Sequence, residues 1–153
     1  MVHKLKFIFA LIGIVLSGAM LTTSVHAQEG VKLGDDVGIY KEFGEKAGLV
    51  VLIDDFMINL LKDPRTKPSF ENVDQKRIKE QLVDQFCFIL NGPCEYKGAK
   101  MKQIHAEAGI NREHFNALVE QLQFAMDKNN VPFRAQNKLL AVLAPMHRDI
   151  ITK

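Results

Sequence analysis

Five histidines and two cysteines are the side chains of this 153-residue chain best suited to hold a metal or carry redox chemistry. His3 and His26 fall in the N-terminal segment. His114 and His147 stand among charged neighbours on helical stretches, which predicts a solvated role for both. His105 is different: Met101, Ile104 and Ala108 flank it at helical spacing, so its imidazole borders an apolar face. On an earlier segment Ile78, Leu82 and Phe86 recur every four positions as one apolar stripe, with Gln81 and Gln85 beside it. An imidazole opposed to a dry wall suits haem, which needs a nitrogen donor on one side of the iron and apolar packing around the ring. A half-buried structural histidine, and a stripe that merely packs on other helices, fit the same spacing.

Other chemistries find less support. Asp35-Asp36 and Asp54-Asp55 are adjacent pairs. Neighbours on a helix point about 100° apart, so they form no carboxylate clamp and read as solvated faces. No phosphate-cradling glycine loop, nucleophile elbow or His-Glu metal helix is present. Cys87 and Cys94 are seven residues apart; on one continuous helix they would stand about 10 Å from each other, beyond disulfide reach. Asn91-Gly92-Pro93 lies between them and should end the helix, so a bridge and two free thiols both stay open. The pair is neither CxxC nor CxxCH, so it offers no zinc or dithiol motif and no covalent haem attachment.

The elements that must position His105 are all helical. Strand signals are nearly absent, and helical spacing predicts segments over 39–43, 47–61, 75–90, 101–108, 112–128 and 135–151. Gly44, Asp63-Pro64, Gly109 and Asn129-Asn130 with Pro132 separate them, Asp74 and Asn111 supply N-caps, and Pro145 should kink the last helix.

Composition fits one globular domain behind a leader. The chain is 47% hydrophobic and 25% charged, which excludes disorder as the main state. Lys4 and Lys6 precede an apolar run from Phe7 to Leu16, and Val25-His26-Ala27 makes a small-residue cleavage site. This pattern predicts a secretory signal over residues 1–27 and a mature domain over 28–153, exported to the periplasm of a Gram-negative cell. The alternative is an uncleaved membrane anchor; once cleaved, the domain has no stable membrane insertion. With those two lysines removed the remainder is formally neutral, so nothing draws it to nucleic acid.

Taken in order, several stretches resemble a group 1 truncated haemoglobin: Ile39-Tyr40…Phe43-Gly44, Asp54-Asp55-Phe56, Asp63-Pro64-Arg65 and Asn91-Gly92-Pro93 with Glu95-Tyr96-Lys97-Gly98. Met101-Lys102-Gln103-Ile104-His105, Ala108-Gly109-Ile110, His114-Phe115 and Leu143-Ala144-Pro145 follow. The resemblance implies an all-α truncated globin fold in which two antiparallel helix pairs enclose a non-covalent haem b. It implies His105 as the single axial protein ligand and Phe70 as the phenylalanine packed on the haem. Met57, Ile78, Gln81 and Leu82 would line the ligand side. Met101, Phe115, Leu118, Val119 and Leu143 would pack the ring, and Lys102 and Arg77 are candidates for its propionates or, equally, solvated surface charges.

The family usually places tyrosine at Met57 and glutamine at Leu82, groups that hydrogen-bond bound oxygen. Their loss implies weak oxygen retention unless Gln81 or a water supplies the bond. The expected function is reversible binding of a diatomic gas, oxygen first, with nitric oxide and carbon monoxide as other ligands and a reductase as a possible partner. The alternatives are a nitric oxide dioxygenase or peroxidase-like enzyme, an electron-transfer protein with Met57 on the iron, and a haem-free helical module.

Overall fold

Short polar side chains set the helix starts where the sequence places them. The Asp74 carboxylate accepts a hydrogen bond from the Arg77 amide at 3.0 Å and opens one long helix, α4 (Gln75–Ile89). The Asn111 side chain accepts from the His114 amide at 2.9 Å and opens another, α6 (Arg112–Lys128). These come from a computed structural model that describes residues 32–34, 36 and 38–153; the expected leader, 1–27, lies outside them. Ahead of α4 run α1 (Ile39–Glu42), α2 (Glu45–Lys62) and the single turn α3 (Lys67–Phe70). The turn α3 was not expected from spacing. Pro68 sits in its first turn, where a missing amide hydrogen costs nothing.

The end of α4 decides the question of the cysteines. Asn91 takes a left-handed φ of 62°, the Gly92 amide donates to the Cys87 carbonyl at 2.8 Å, and the Asn91 amide donates to Phe88 at 3.2 Å. This double bond pattern caps the helix and turns the chain back on itself. A Cβ on Gly92 would lie 2.6 Å from Cys87 Sγ and 2.7 Å from the Tyr40 ring, so only glycine fits there. The reversal brings Cys94 to a Cα–Cα distance of 5.8 Å from Cys87, and the two form a disulfide.

Two later expectations are shortened. The helix carrying His105 is α5 (Met101–His105), three residues shorter than spacing suggested. The expected 135–151 helix breaks at Pro145 into α7 (Phe133–Leu143), a 3-10 turn (Ala144–Met146) and α8 (His147–Ile150). Proline has no amide hydrogen to continue the helical ladder, so the chain changes direction there.

Packing follows the apolar faces. Helix α2 crosses both α4 and α6, and α6 lies against α7. Leu49, Leu52, Ile53 and Leu60 of α2 meet Ile89, Leu122, Met126 and Leu139 in a fully buried core. The pairs α2/α4 and α6/α7 make an all-helical domain with no strand among the described residues. Away from that core, α5 packs on α8, and the Thr152 and Lys153 amides donate to the Ile110 carbonyl at 2.8 and 3.1 Å. No helix among the described residues is long and apolar enough to cross a membrane.

Candidate haem pocket

Between the paired helices and the small α5–α8 unit lies a cavity of about 610 Å³, within the roughly 300–1,000 Å³ typical of ligand pockets. His105 stands on its wall, half-buried. Its Nδ1 is 2.8 Å from the Met101 carbonyl, an acceptor only, so Nδ1 carries the proton and Nε2 keeps its lone pair. That tautomer and a ring fixed by a backbone acceptor are what a metal-ligating imidazole requires. Among the described residues no cluster of three or more His, Cys, Asp or Glu could hold a bare ion. A metal bound through His105 therefore takes its other donors from a carried-in ligand, and a porphyrin supplies four in a plane.

The wall suits such a ring. Phe70 lines it, as do Ile78 and Leu82 of α4, Phe115, Leu118 and Val119 of α6, Met101 of α5 and Leu143 of α7. Phe115 is braced edge-on by the His147 ring, with centroids 6.2 Å apart. Gln81 also lines the cavity, yet its residue is exposed, so it belongs to the rim.

The corner that presents Phe70 is held by polar contacts. Thr66, almost fully buried, donates from Oγ1 to the Leu60 carbonyl at 2.7 Å, and Gln75 Nε2 donates to the Phe70 carbonyl at 3.2 Å. Asp63 receives the Arg65 amide at 2.8 Å, the Arg65 guanidinium, and Gln121 Nε2 at 2.7 Å from α6. The guanidinium side-chain bond first, then the amide bond, hold the Asp63 carboxyl down to a pKa of about 2. Arg65 also reaches Glu120 at 2.7 Å, which ties the α2–α3 corner to α6.

Met57 and His114 lie elsewhere than expected, and Lys102 takes the surface alternative. Met57 is 3% exposed but packs into the core among α2, α4 and α6 and does not line the cavity; Phe56, the preceding residue, does. One helical step turns a side chain by about 100°, and a methionine, having no hydroxyl to satisfy, can be absorbed by the core where a tyrosine would need a partner. Lys102 is exposed and off the wall, as a solvated surface charge would be, whereas Arg77 lines the cavity at its rim. His114 is not simply solvated: it is half-buried on the wall, and its Nδ1 is buried with no hydrogen-bond partner.

The cavity also recruits residues that sequence reasoning did not place in the site. Phe86 comes from the recognised α4 stripe, and Met146 and Ile150 come from the segment beyond Pro145. Tyr96 lies half-buried with its ring against Gly98, where a Cβ would meet the phenol oxygen at 2.1 Å, and burial raises its pKa. Gln85 lines the cavity at 8% exposure. Its signal was the four-residue spacing from Gln81.

Comparison with known proteins agrees with this geometry. The family model "Bacterial-like globin" matches residues 38–152. The group 1 truncated hemoglobin GlbN of Mycolicibacterium paratuberculosis is 30% identical over 118 residues, covering 77% of this chain and 87% of that one. The crystal structure of the Tetrahymena pyriformis truncated hemoglobin, Fe(III) form, superposes with a TM-score of 0.71 at 27% identity, covering 75% of this chain and 98% of that one. A Synechococcus 2/2 hemoglobin, solved in the cyanomet state with covalently attached heme, shares the fold at a TM-score of 0.69 and 21% identity over 75% of this chain and 98% of its own.

Proposed function

The chain belongs to the bacterial-like globin family as a group 1 truncated haemoglobin and haem-binding globin, and on that premise we propose that it reversibly binds a diatomic gas at a five-coordinate haem b held non-covalently by His105. When bound, the haem supplies a ferrous iron with one open position for oxygen, nitric oxide or carbon monoxide. One observation carries the reading: the His105 imidazole, fixed through Nδ1 to the Met101 carbonyl with Nε2 left free, on the wall of an apolar cavity of about 610 Å³.

The chain's own residues divide the work. His105 would offer its Nε2 to the iron, and its bond to Met101 orients the ring. Phe70, Phe115, Leu118 and Leu143 would pack against a bound porphyrin and exclude water, and Arg77 at the rim would meet its carboxylates. Ile78 and Leu82 give a small ligand no proton donor. They give a peroxidase no acid–base group either, so gas binding is the better reading. Met57, packed in the core, supplies no sixth ligand from the wall, which counts against electron transfer. The leader pattern of residues 1–27 and the Cys87–Cys94 bridge favour an exported domain in an oxidising compartment, supplied with electrons by a separate reductase.

The test is an absorption spectrum of the purified protein, oxidised, reduced and with carbon monoxide. A Soret band, a high-spin reduced form and a carbonyl shift are expected. His105→Ala should lose haem or change coordination, and imidazole should restore the spectrum. An unchanged five-coordinate spectrum in His105→Ala would overturn the assignment.

A further inference from the structure

Among the described residues, three glutamines are buried to nine-tenths or more, and they are treated differently. Gln121, 9% exposed, donates from Nε2 to Asp63 at 2.7 Å. Gln136, 4% exposed, donates to both Asp127 at 2.8 Å and the Val131 carbonyl at 2.9 Å. Gln85, 8% exposed, enters no side-chain hydrogen bond among the described residues, and it lines the cavity. Buried amides are normally paired, so this one is left for something the cavity takes in.

Of the other polar groups on the wall, Tyr96 has its phenol oxygen turned against Gly98, and the rest are occupied or badly placed. Thr66 Oγ1 is committed to the Leu60 carbonyl and His105 Nδ1 to Met101. Arg77, Ser69 and Gln81 are exposed at the rim. His114 Nδ1 is sealed from any guest by its burial. Gln85 lies one helical turn deeper along α4 than Gln81, on the face that also presents Leu82 and Phe86.

We propose that Gln85 is the ligand-sensing residue of this cavity, its side-chain amide donating a hydrogen bond to the small polar ligand bound there. The assignment rests on the gas-binding reading and deepens it. An amide donor favours a ligand that draws negative charge from the iron, such as oxygen, over carbon monoxide, which is less polarised. Gln85 thereby takes the part that Ile78 and Leu82 cannot.

The experiment compares the wild-type holoprotein with Gln85→Leu, Gln85→Met and Gln81→Leu. Two readouts are taken: the C–O stretching frequency of the carbonyl complex by infrared spectroscopy, and oxygen release by stopped flow. Loss of the donor should raise the C–O frequency in both Gln85 variants and speed oxygen release roughly 10-fold or more. The methionine variant, closest in length, guards against loss of haem in the leucine one. If wild type forms a carbonyl complex but neither readout moves in the Gln85 variants, the proposal falls while gas binding stands. A larger effect in Gln81→Leu also overturns it. A wild type that takes up haem but forms no carbonyl complex overturns the gas-binding reading, and this proposal with it.

Discussion

Removing the haem should soften one side of this protein and leave the other intact. An unfilled cavity costs about 24 cal/mol per Å³. At about 610 Å³ the ceiling is about 15 kcal/mol, as large as the roughly 5–15 kcal/mol that stabilises an entire domain. Water is a poor substitute, because Phe70, Ile78, Leu82, Phe115 and Leu118 offer it few partners. The walls must therefore move inward, and the packing says which walls. Helices α2, α4 and α6 share a buried core that owes nothing to the cavity, whereas α5 and α8 are five and four residues long and contain no buried residue. After acid extraction of the haem, amide exchange should become fast across residues 99–110 and 144–153 and remain slow in α2, α4 and α6. With haem at about 1,000 times its dissociation constant, binding adds about 4 kcal/mol. For a domain of this size that raises the thermal midpoint by about 15 °C. An apoprotein with α5 as protected as in the holoprotein, and a midpoint within a few degrees of it, would refute the reasoning.

Two further predictions concern the supports of the pocket. The disulfide closes a loop with a sequence separation of 7, and such a cross-link is worth about 2.5 kcal/mol through lost unfolded-state entropy. Reduction, or Cys87→Ala with Cys94→Ala, should lower the thermal midpoint by about 10 °C; a coincident melting curve would show that the bridge constrains nothing. Asp63 has its folded pKa lowered to about 2 from 3.8, so its contribution is fully present above pH 3.8 and disappears as pH falls towards 2. Asp63→Asn should flatten the acid limb of a stability-versus-pH profile, and an unchanged acid limb would contradict the role given to the Arg65 and Gln121 contacts.

Much of this architecture is written locally. Asp74 and Asn111 cap where a short polar side chain can reach a free amide, Gly44 takes the left-handed turn between α1 and α2, and Pro145 breaks the last helix because its nitrogen has no hydrogen. The stripe of Ile78, Leu82 and Phe86, and the isolation of His105 among apolar neighbours, follow from the period of 3.6 residues and need no tertiary information. All of them reach the cavity wall. Other assignments were beyond local reading. Periodicity gives the angle at which a side chain leaves its helix but not what crosses the helix at that height. Where α2 crosses α4 and α6, Phe56 and Met57 both enter the core, and only Phe56 also borders the cavity. The same limit hid the difference between Gln81 at the rim and Gln85 inside, which share a face of α4 and differ only in depth. The bridge between Cys87 and Cys94 waited on the left-handed Asn91 and the close approach at Gly92, since sequence distance alone admitted both outcomes. Helical segments and the candidate imidazole, His105, thus belong to the sequence, whereas depth, and with it the polarity of the cavity's surroundings, belongs to how the helices cross.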